Sequence, residues 1–420
     1  MNAEILAIGS ELLTPERLDT NSLYLTRQLN EIGVEVVGKA VMGDDRARLT
    51  AAIEQARART GLLILTGGLG PTEDDVTREA VAAACRRELV FHQDLLDAIE
   101  ARFRSAKRAM AAINRRQAYL VDGFEALAND RGTAPGQWFR DEAGILLLLP
   151  GPPHELQAMF ERECLRRLRL AIPQQHIVTR VMRVAGMPES DLDQRISPIY
   201  TRYQNPVTTI LAAPGDIQIH LRGTGPSGAE AQALVDELAR LIEAELGDRI
   251  YSREGKSLEE VVGGLLLAHR ATLAVAESCT GGMLAERITS VAGSSNYFVG
   301  GWVSYTNRAK RQWLGVSGEV LETHGAVSAE TAGEMAQQAR RRAGSTLGLA
   351  VTGVAGPTPD SGGGKDGPKP VGTVFVALAD EKGSDVRQRQ FIGERDRIRQ
   401  QATQMALDMI RRSFLPKAGG

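Results

Sequence analysis

Short apolar runs that stop at glycine-rich or acidic loops and then give way to segments of helical period recur along the chain. This alternation constrains the fold more than any other feature of the sequence. In the first 170 residues the runs are Ile5–Ile8, Val34–Val41, Leu62–Leu65 and Ile145–Leu149. Uninterrupted apolar runs suit strands buried on both faces, and helical segments between them suit crossovers, so a mainly parallel sheet covered by helices is expected. Residues 1–172 are therefore read as a Rossmann-like α/β domain. Ile177–Val184, a helical Glu189–Arg202, Val207–Leu211, Ile217–Leu221, a helical Ala229–Glu245 and Arg249–Tyr251 then give β-α-β-β-α-β, a small α+β domain over 173–252. After the polar string SREGKS the α/β pattern resumes over 253–416. Its strands are Thr272–Ala276, Gly301–Tyr305, Leu347–Thr352 and Val371–Leu378, and its helices Thr331–Arg342 and Arg397–Arg412. The loop Gly353–Pro370, rich in glycine and proline, lies between two of these strands, where substrate-covering elements occur.

Charge and length exclude several classes. The 420 residues hold 50 Lys plus Arg against 52 Asp plus Glu, a net charge of −2. Without a basic surplus to neutralise phosphates, nucleic acid is not an expected partner. The basic clusters at 102–116 and 162–169 read as solvated faces of amphipathic helices. Neither GILLLLPG nor VVGGLLLA approaches the roughly 18 apolar residues of a membrane span. The opening MNAEILAIGSELL carries Glu4 and Glu11 and no basic run, so it reads as a first strand and not a signal peptide, and a cytoplasmic location is expected. Cys85, Cys164 and Cys279 lie far apart with no CxxC spacing, which argues against a disulfide framework or a zinc site.

Two strings carry candidate chemistry. Ala276–Gly282, AESCTGG, stands between a strand and a helix, where unpaired N–H groups at the helix start can stabilise an oxyanion or hold a phosphate. Ser278 and Cys279 compete as nucleophile there, and simple helix capping by Ser278 or Thr280 competes with both. The domain offers no histidine in a recognisable triad string. Lys310 in YTNRAK makes a Ser–Lys pair the available alternative, provided desolvation or a neighbouring cation lowers its pKa. In the first domain TGGLGPTEDD (66–75) follows a strand. Its glycines allow backbone approach to phosphate oxygens, and Asp74 and Asp75 are candidates for a divalent metal such as Mg bridging a diphosphate. Asp19 and Asn21 in LDTNS, and Asp44 in MGDD, lie near strand ends facing the same cleft, with helix capping as the competing role. The GPSG string at 225–228 has no basic residue between its glycines and reads as a plain turn.

Taken together, TGGLGPTEDDVTREA, PGPPHEL, AESCTGG, YTNRAK, AVTGVAGP, KPVGTV and GERDRIR, in this order, resemble the competence/damage-inducible protein A (CinA) family over essentially the whole chain. The resemblance implies a molybdopterin-binding-like (MoCF-type) first domain, a KH-type middle domain and a three-layer α/β amidase domain at the C-terminus. It implies deamidation of nicotinamide mononucleotide to nicotinic acid mononucleotide plus ammonia at the C-terminal site, with no cofactor. It also implies a metal-dependent ADP-ribose pyrophosphatase at the N-terminal site. By the same resemblance Ser278 is the nucleophile and Lys310 its base, and Thr352, with Gly353, Arg395 and Arg399 lie at the nucleotide site. Asp44, Gly67, Gly68, Gly70, Pro71, Thr72, Asp74 and Asp75 fall at the N-terminal pocket, with Asp19 and Asn21 nearby.

Physical argument adds that the N–H groups of Cys279, Thr280, Gly281 and Gly282 form an oxyanion hole, that Tyr305 and Asn307 support Lys310, and that Glu277 orients the dyad. The chain departs from the family pattern at Pro15, at Glu394 and in the length of the 353–370 loop. A homodimer is expected, as for most soluble oligomers. The competing reading is a pterin- or nucleotide-binding regulatory or competence-related interaction protein without turnover.

Overall fold

A strand that is apolar on both faces must be covered on both, and the two large sheets are built this way. The structure is a computed structural model that describes residues 1–172, 175–360, 364 and 367–416. It forms two compact units, Met1–Val178 with Thr224–Gln232, and Thr179–Gly223 with Ala233–Gly420. Part of the Gly353–Pro370 loop, at 361–363 and 365–366, lies outside the described residues.

In the first unit the strands are β1 (Asn2–Ile8), β2 (Glu35–Met42), β3 (Leu62–Thr66), β4 (Leu89–Phe91), β5 (Tyr119–Val121), β6 (Glu125–Leu127), β7 (Gly136–Asp141) and β8 (Gly144–Leu149). The main sheet runs β2-β1-β3-β8-β7-β6, with β4 and β5 paired separately. The β2, β1, β3 and β8 neighbours are parallel, as the apolar runs predict. The sheet is mixed because β7 and β6 add an antiparallel edge. Alternate residues feed two cores. Ile5, Ile64 and Leu147 pack with Leu25, Leu29 and Phe160, while Leu6, Leu63 and Leu146 pack with Leu49, Ile53 and Val81.

The middle sheet contains β9 (His176–Ala185), β10 (Val207–Ala213), β11 (Asp216–Gly225) and β12 (Ile250–Ser252) in the order β10-β11-β9-β12. The helices Glu189–Tyr200 and Gly228–Leu246 complete the α+β unit, and GPSG is the turn from β11 into the second of them.

The last sheet runs β14-β13-β15-β16-β17, formed by β13 (Leu273–Glu277), β14 (Phe298–Val303), β15 (Leu347–Gly353), β16 (Thr373–Ala379) and β17 (Ser384–Gln390). The first three are parallel, whereas β16 and β17 are antiparallel. Leu273, Val275, Leu349 and Val351 enter one core with the helix residues Leu258, Val262 and Ala406. On the other face Ala274, Ala276 and Ala350 meet Ala332, Ala336 and Ala339 of the Ala329–Ala343 helix. Small residues bring that helix so close that a Cβ on Gly348 would run into the Ala336 carbonyl. The strand expected at Gly301–Tyr305 lies instead at Phe298–Val303. The Ser304 N–H still donates to the Glu277 carbonyl at 2.8 Å, and the strand stops there because Thr306 then opens a helical turn. Among the described residues no helix is long and apolar enough to cross a membrane.

Candidate active site

The carboxyl end of β13 is the central feature of the last domain. Ser278 follows it directly, its own N–H donating to the Val351 carbonyl of the neighbouring strand at 2.9 Å. The chain then turns through Gly281 (φ 60°) and Gly282 (φ 100°), left-handed conformations that glycine adopts without strain, into the Met283–Thr289 helix. From the next strand over, the Thr306 hydroxyl caps a short helical turn, Asn307–Ala309, that widens into a π-turn at Lys310–Leu314. This turn drives Lys310 inward, leaving it 1% exposed. Its Nζ lies 2.8 Å from Ser278 Oγ and donates to the Ser304 carbonyl at 3.0 Å. Burial pushes the Lys310 ammonium down to about 8, against smaller opposing effects of Cys279 and Asp360. The competing nucleophile Cys279 is also buried, and that burial pushes its thiol up to about 12, the reverse of what a reactive thiolate needs.

Several expected supporting roles change. Glu277 does not touch Lys310. Its buried carboxylate accepts the N–H groups of Gly282 (3.0 Å), Leu284 (3.0 Å) and Ala285 (2.9 Å), so it orients the loop and helix start and not the dyad. The expected oxyanion hole narrows accordingly, because the Gly282 N–H is taken by Glu277 and the Gly281 N–H by the Ser278 carbonyl. Among the described residues, the Cys279 and Thr280 N–H groups have no acceptor outside their own residues. Tyr305 does not support Lys310 either, since its exposed hydroxyl accepts a hydrogen bond from Arg395 at 2.7 Å. Asn307 is exposed on the turn that carries Lys310 and makes no bond to it.

The groups expected to bind nucleotide gather around the same loop. Arg395 also donates to the Gly356 carbonyl at 2.7 Å, and Arg399, one helical turn on, donates to the Thr280 carbonyl at 2.8 Å. Thr352 is the penultimate residue of β15, its buried hydroxyl donating to the Ala326 carbonyl at 2.7 Å, and Gly353 ends the strand, packed against Thr373 and Val374. Sequence reasoning missed Ser304 and Thr306, one supplying the carbonyl that holds Nζ and the other the cap that starts the turn. Only the T-N-R cap spacing in YTNRAK could have pointed to the second.

In the first unit, Gly67 (φ 99°) and Gly68 (φ 64°) turn the chain at the end of β3, and a Cβ on Gly67 would run into the Ile8 carbonyl. Asp75 braces this loop. Its carboxylate accepts the N–H groups of Gly70 and Thr72, each at 2.8 Å, and the Thr72 hydroxyl, so its oxygens are engaged by backbone and it is not the open metal ligand that the sequence suggests. Pro71 is half-buried and Asp74 exposed in the same loop.

Asp19 caps the Thr20–Glu31 helix through the Ser22 N–H at 3.0 Å, and Asp44 exchanges bonds with Ser10, accepting its N–H at 2.7 Å. Asn21 reaches the Gly151 carbonyl at 2.8 Å, beside the Gly67 loop. Pro15 lies in the turn after Ser10–Leu13. Among the described residues no three His, Cys, Asp or Glu side chains gather to hold a cation, and with Asp75 engaged the donor set does not fit a resident divalent metal. Sequence reasoning also missed Arg78, which is 2% exposed and clamps the Leu69 and Gly70 carbonyls at 2.6 and 2.8 Å.

A serine and a buried lysine in contact at the end of a parallel strand, within a chain of two α/β domains and a small α+β one, define a multidomain α/β protein with a Ser–Lys centre. Comparison with known proteins places it further. Residues 4–170 match the "Probable molybdopterin binding domain", 179–252 the "Damage-inducible protein CinA KH domain" and 255–414 the "CinA C-terminal domain". A "CinA-like protein" of Solibacter usitatus is 59% identical over 417 residues, covering 99% of each chain. A "Putative competence-damage inducible protein" of Moorella thermoacetica is 40% identical over 415 residues, again 99% of each. The crystal structure of a competence/damage inducible protein from Agrobacterium tumefaciens is 37% identical, covers 37% of this chain and 96% of its own, and superposes with a TM-score of 0.34. The chain belongs to the CinA family.

Proposed function

We propose that the C-terminal site deamidates nicotinamide mononucleotide. The observation that carries this reading is the 2.8 Å contact between Ser278 Oγ and a Lys310 ammonium that burial holds at about 8. A neutral Lys310 Nζ takes the Ser278 proton as Oγ bonds to the carboxamide carbon, whose C=O electrons move onto oxygen. The Cys279 and Thr280 N–H groups are the donors left for that oxyanion. Collapse breaks the C–N bond, Lys310 returns its proton to the leaving nitrogen, and ammonia departs. Water then repeats the sequence on the acyl-serine, with Lys310 as base, releasing nicotinic acid mononucleotide and restoring Ser278.

Arg395 and Arg399, on one side of a helix that starts beside the loop, suit a monophosphate, with which guanidinium forms paired charge-assisted hydrogen bonds. The test is ammonia release from nicotinamide mononucleotide without added metal. Turnover by the unaltered protein with loss in Ser278→Ala supports the reading, and turnover that survives in the variant refutes it.

The left-handed Gly67–Gly68 turn at a strand end favours a second activity at the N-terminal loop, hydrolysis of ADP-ribose. Because Asp75 is a brace, a divalent ion brought with the substrate would meet the exposed Asp74 carboxylate and would supply charge neutralisation of the diphosphate. A homodimer in the cytoplasm, with small nucleotides and not nucleic acid as partners, completes the proposal.

A further inference from the structure

The β13 residue that precedes the nucleophile has a carboxylate 1% exposed and turned away from the Ser–Lys pair. Glu277 instead accepts three backbone N–H groups, from Gly282, Leu284 and Ala285, at 2.9 to 3.0 Å. A carboxylate accepting N–H groups forms the stronger kind of hydrogen bond, and three of them fix the exit of the 278–282 turn to β13, while the Ser278 N–H on the Val351 carbonyl holds its entry. They have a second consequence. The start of the Met283–Thr289 helix is occupied, so it is not available to a substrate oxyanion, and among the described residues the loop N–H groups that donate to no other residue are those of Cys279 and Thr280. The turn is closed from the far side by Arg399 on the Thr280 carbonyl and by the Ser278 carbonyl on the Gly281 N–H. With Gly281 and Gly282 both left-handed, the turn has little intrinsic preference for this shape, and its conformation depends on these ties.

We infer that Glu277 is the positioning residue of the amidase: its carboxylate holds the 278–282 turn in the one conformation that presents the Cys279 and Thr280 N–H groups to the oxyanion. This inference rests on the amidase reading. It differs from a role in the dyad, because Glu277 touches neither Ser278 Oγ nor Lys310 Nζ, and from a purely structural role, because it predicts a fault in each folded site and not a smaller number of folded sites.

The experiment compares the full chain with Glu277→Gln, whose amide places a donor among the N–H groups, and with Ala285→Pro. The second variant removes one N–H in the first helical turn, where proline is tolerated, and leaves the carboxylate in place. Reactive sites are counted by mass spectrometry after labelling Ser278 with a sulfonyl fluoride, and kcat per labelled site is measured on nicotinamide mononucleotide across pH. The expected result is a fall in kcat per site of about a hundredfold for Glu277→Gln and a smaller one for Ala285→Pro, with KM within about threefold and the midpoint of the pH profile unmoved. An unchanged kcat per labelled site would make Glu277 structural only and overturn the inference. A displaced pH midpoint would place its action on Lys310 and overturn it as well. Absence of turnover by the unaltered protein would instead sink the amidase reading, and the sulfonylation rate at Ser278 then decides the positioning claim by itself, a rate equal in both chains refuting it.

Discussion

Substituting Lys310 tests the reasoning most directly, because one physical cause predicts both a rate and a stability effect. The ammonium is 1% exposed and titrates at about 8 where an unperturbed lysine titrates at 10.5. Only the neutral amine accepts the Ser278 proton. At pH 7 about one-tenth of the sites hold it, and at pH 9 about nine-tenths, so kcat/KM for nicotinamide mononucleotide should climb about tenfold between these values and level off above. Lys310→Arg keeps the charge but not the ability to lose a proton, and should cost at least about a hundredfold at every pH. Lys310→Met should do the same.

The stability effect has the opposite sign. A lysine whose folded pKa lies below its unfolded one destabilises the fold wherever the unfolded chain binds the extra proton. That penalty is complete below about 8 and vanishes as pH rises through 10.5. A shift of this size corresponds to roughly 3 kcal/mol, a figure that the Lys310→Met variant escapes, less about 1–3 kcal/mol for leaving the buried Ser304 carbonyl without its donor. The net change at pH 7 is therefore small, and the informative quantity is its slope. Between pH 7 and pH 9 the unaltered chain should gain roughly 1 kcal/mol on the methionine variant. Urea unfolding of both full-length chains at the two pH values measures this, since other titrating groups cancel in the difference. A stability gap that does not move with pH, together with a flat rate profile, would show that Lys310 keeps an ordinary pKa and would refute it as the base.

Other perturbations separate neighbouring roles. Cys279→Ala should leave kcat within about threefold while lowering thermal stability slightly, because a small buried group is lost and no nucleophile; loss of turnover comparable to Ser278→Ala in the ammonia assay would contradict this. Arg395→Met should raise KM for nicotinamide mononucleotide by about 10- to 100-fold and leave turnover of the phosphate-free riboside unchanged, and an equal effect on both substrates would remove Arg395 from phosphate binding. In the first unit, Asp75→Asn should make the 66–75 loop sensitive to protease and reduce ADP-ribose hydrolysis in a way that excess Mg does not restore. Recovery with rising Mg would instead make Asp75 a metal ligand.

Much of the architecture was legible because it rests on periodicity. Both-face-buried strands such as Leu62–Thr66 and Leu347–Gly353 announce themselves as unbroken apolar runs. The strand Ser384–Gln390 did not, since it is an edge strand with its polar side chains in water and carries no apolar run at all. The start of Phe298–Val303 was hidden by Gly300 and Gly301, a pair that reads as a turn, although here Gly301 lets β14 lie close against Val275. The meeting of Ser278 with Lys310, 32 residues apart in sequence, was legible from residue type and from the family resemblance. The burial that alters the lysine depends on a π-turn that no local pattern in YTNRAK encodes.

What the sequence concealed at both loops was the use made of the acids. Glu277 and Asp75 stand beside glycine pairs, and in a string of letters an acid beside a glycine loop looks like chemistry: an orienting group in one case, a metal ligand in the other. A glycine turn at a strand end leaves several N–H groups without partners, however, and a buried unpaired N–H costs about 1–3 kcal/mol. A carboxylate is the side chain best able to take two or three at once, and each of these two does so. Glycine gives each loop its shape and the acid makes that shape unique, so the residues that touch substrate must be sought among the groups left over. In the C-terminal domain those are the Ser278 hydroxyl, the Lys310 amine and two backbone N–H groups. In the N-terminal loop Asp75 already takes the N–H and hydroxyl of Thr72 and the Leu149 carbonyl takes the Gly67 N–H, so the groups left over, among the described residues, include the exposed Asp74 carboxylate and the Gly68 N–H. On the proposed reading the shape of the turn matters more to ADP-ribose than the Asp74 carboxylate does, so substitution at Gly67, where a Cβ would strike the Ile8 carbonyl, should damage ADP-ribose binding more than Asp74→Asn does. Titration of ADP-ribose into Gly67→Ala and Asp74→Asn by calorimetry ranks the two, and the reverse order would return the site to its carboxylates.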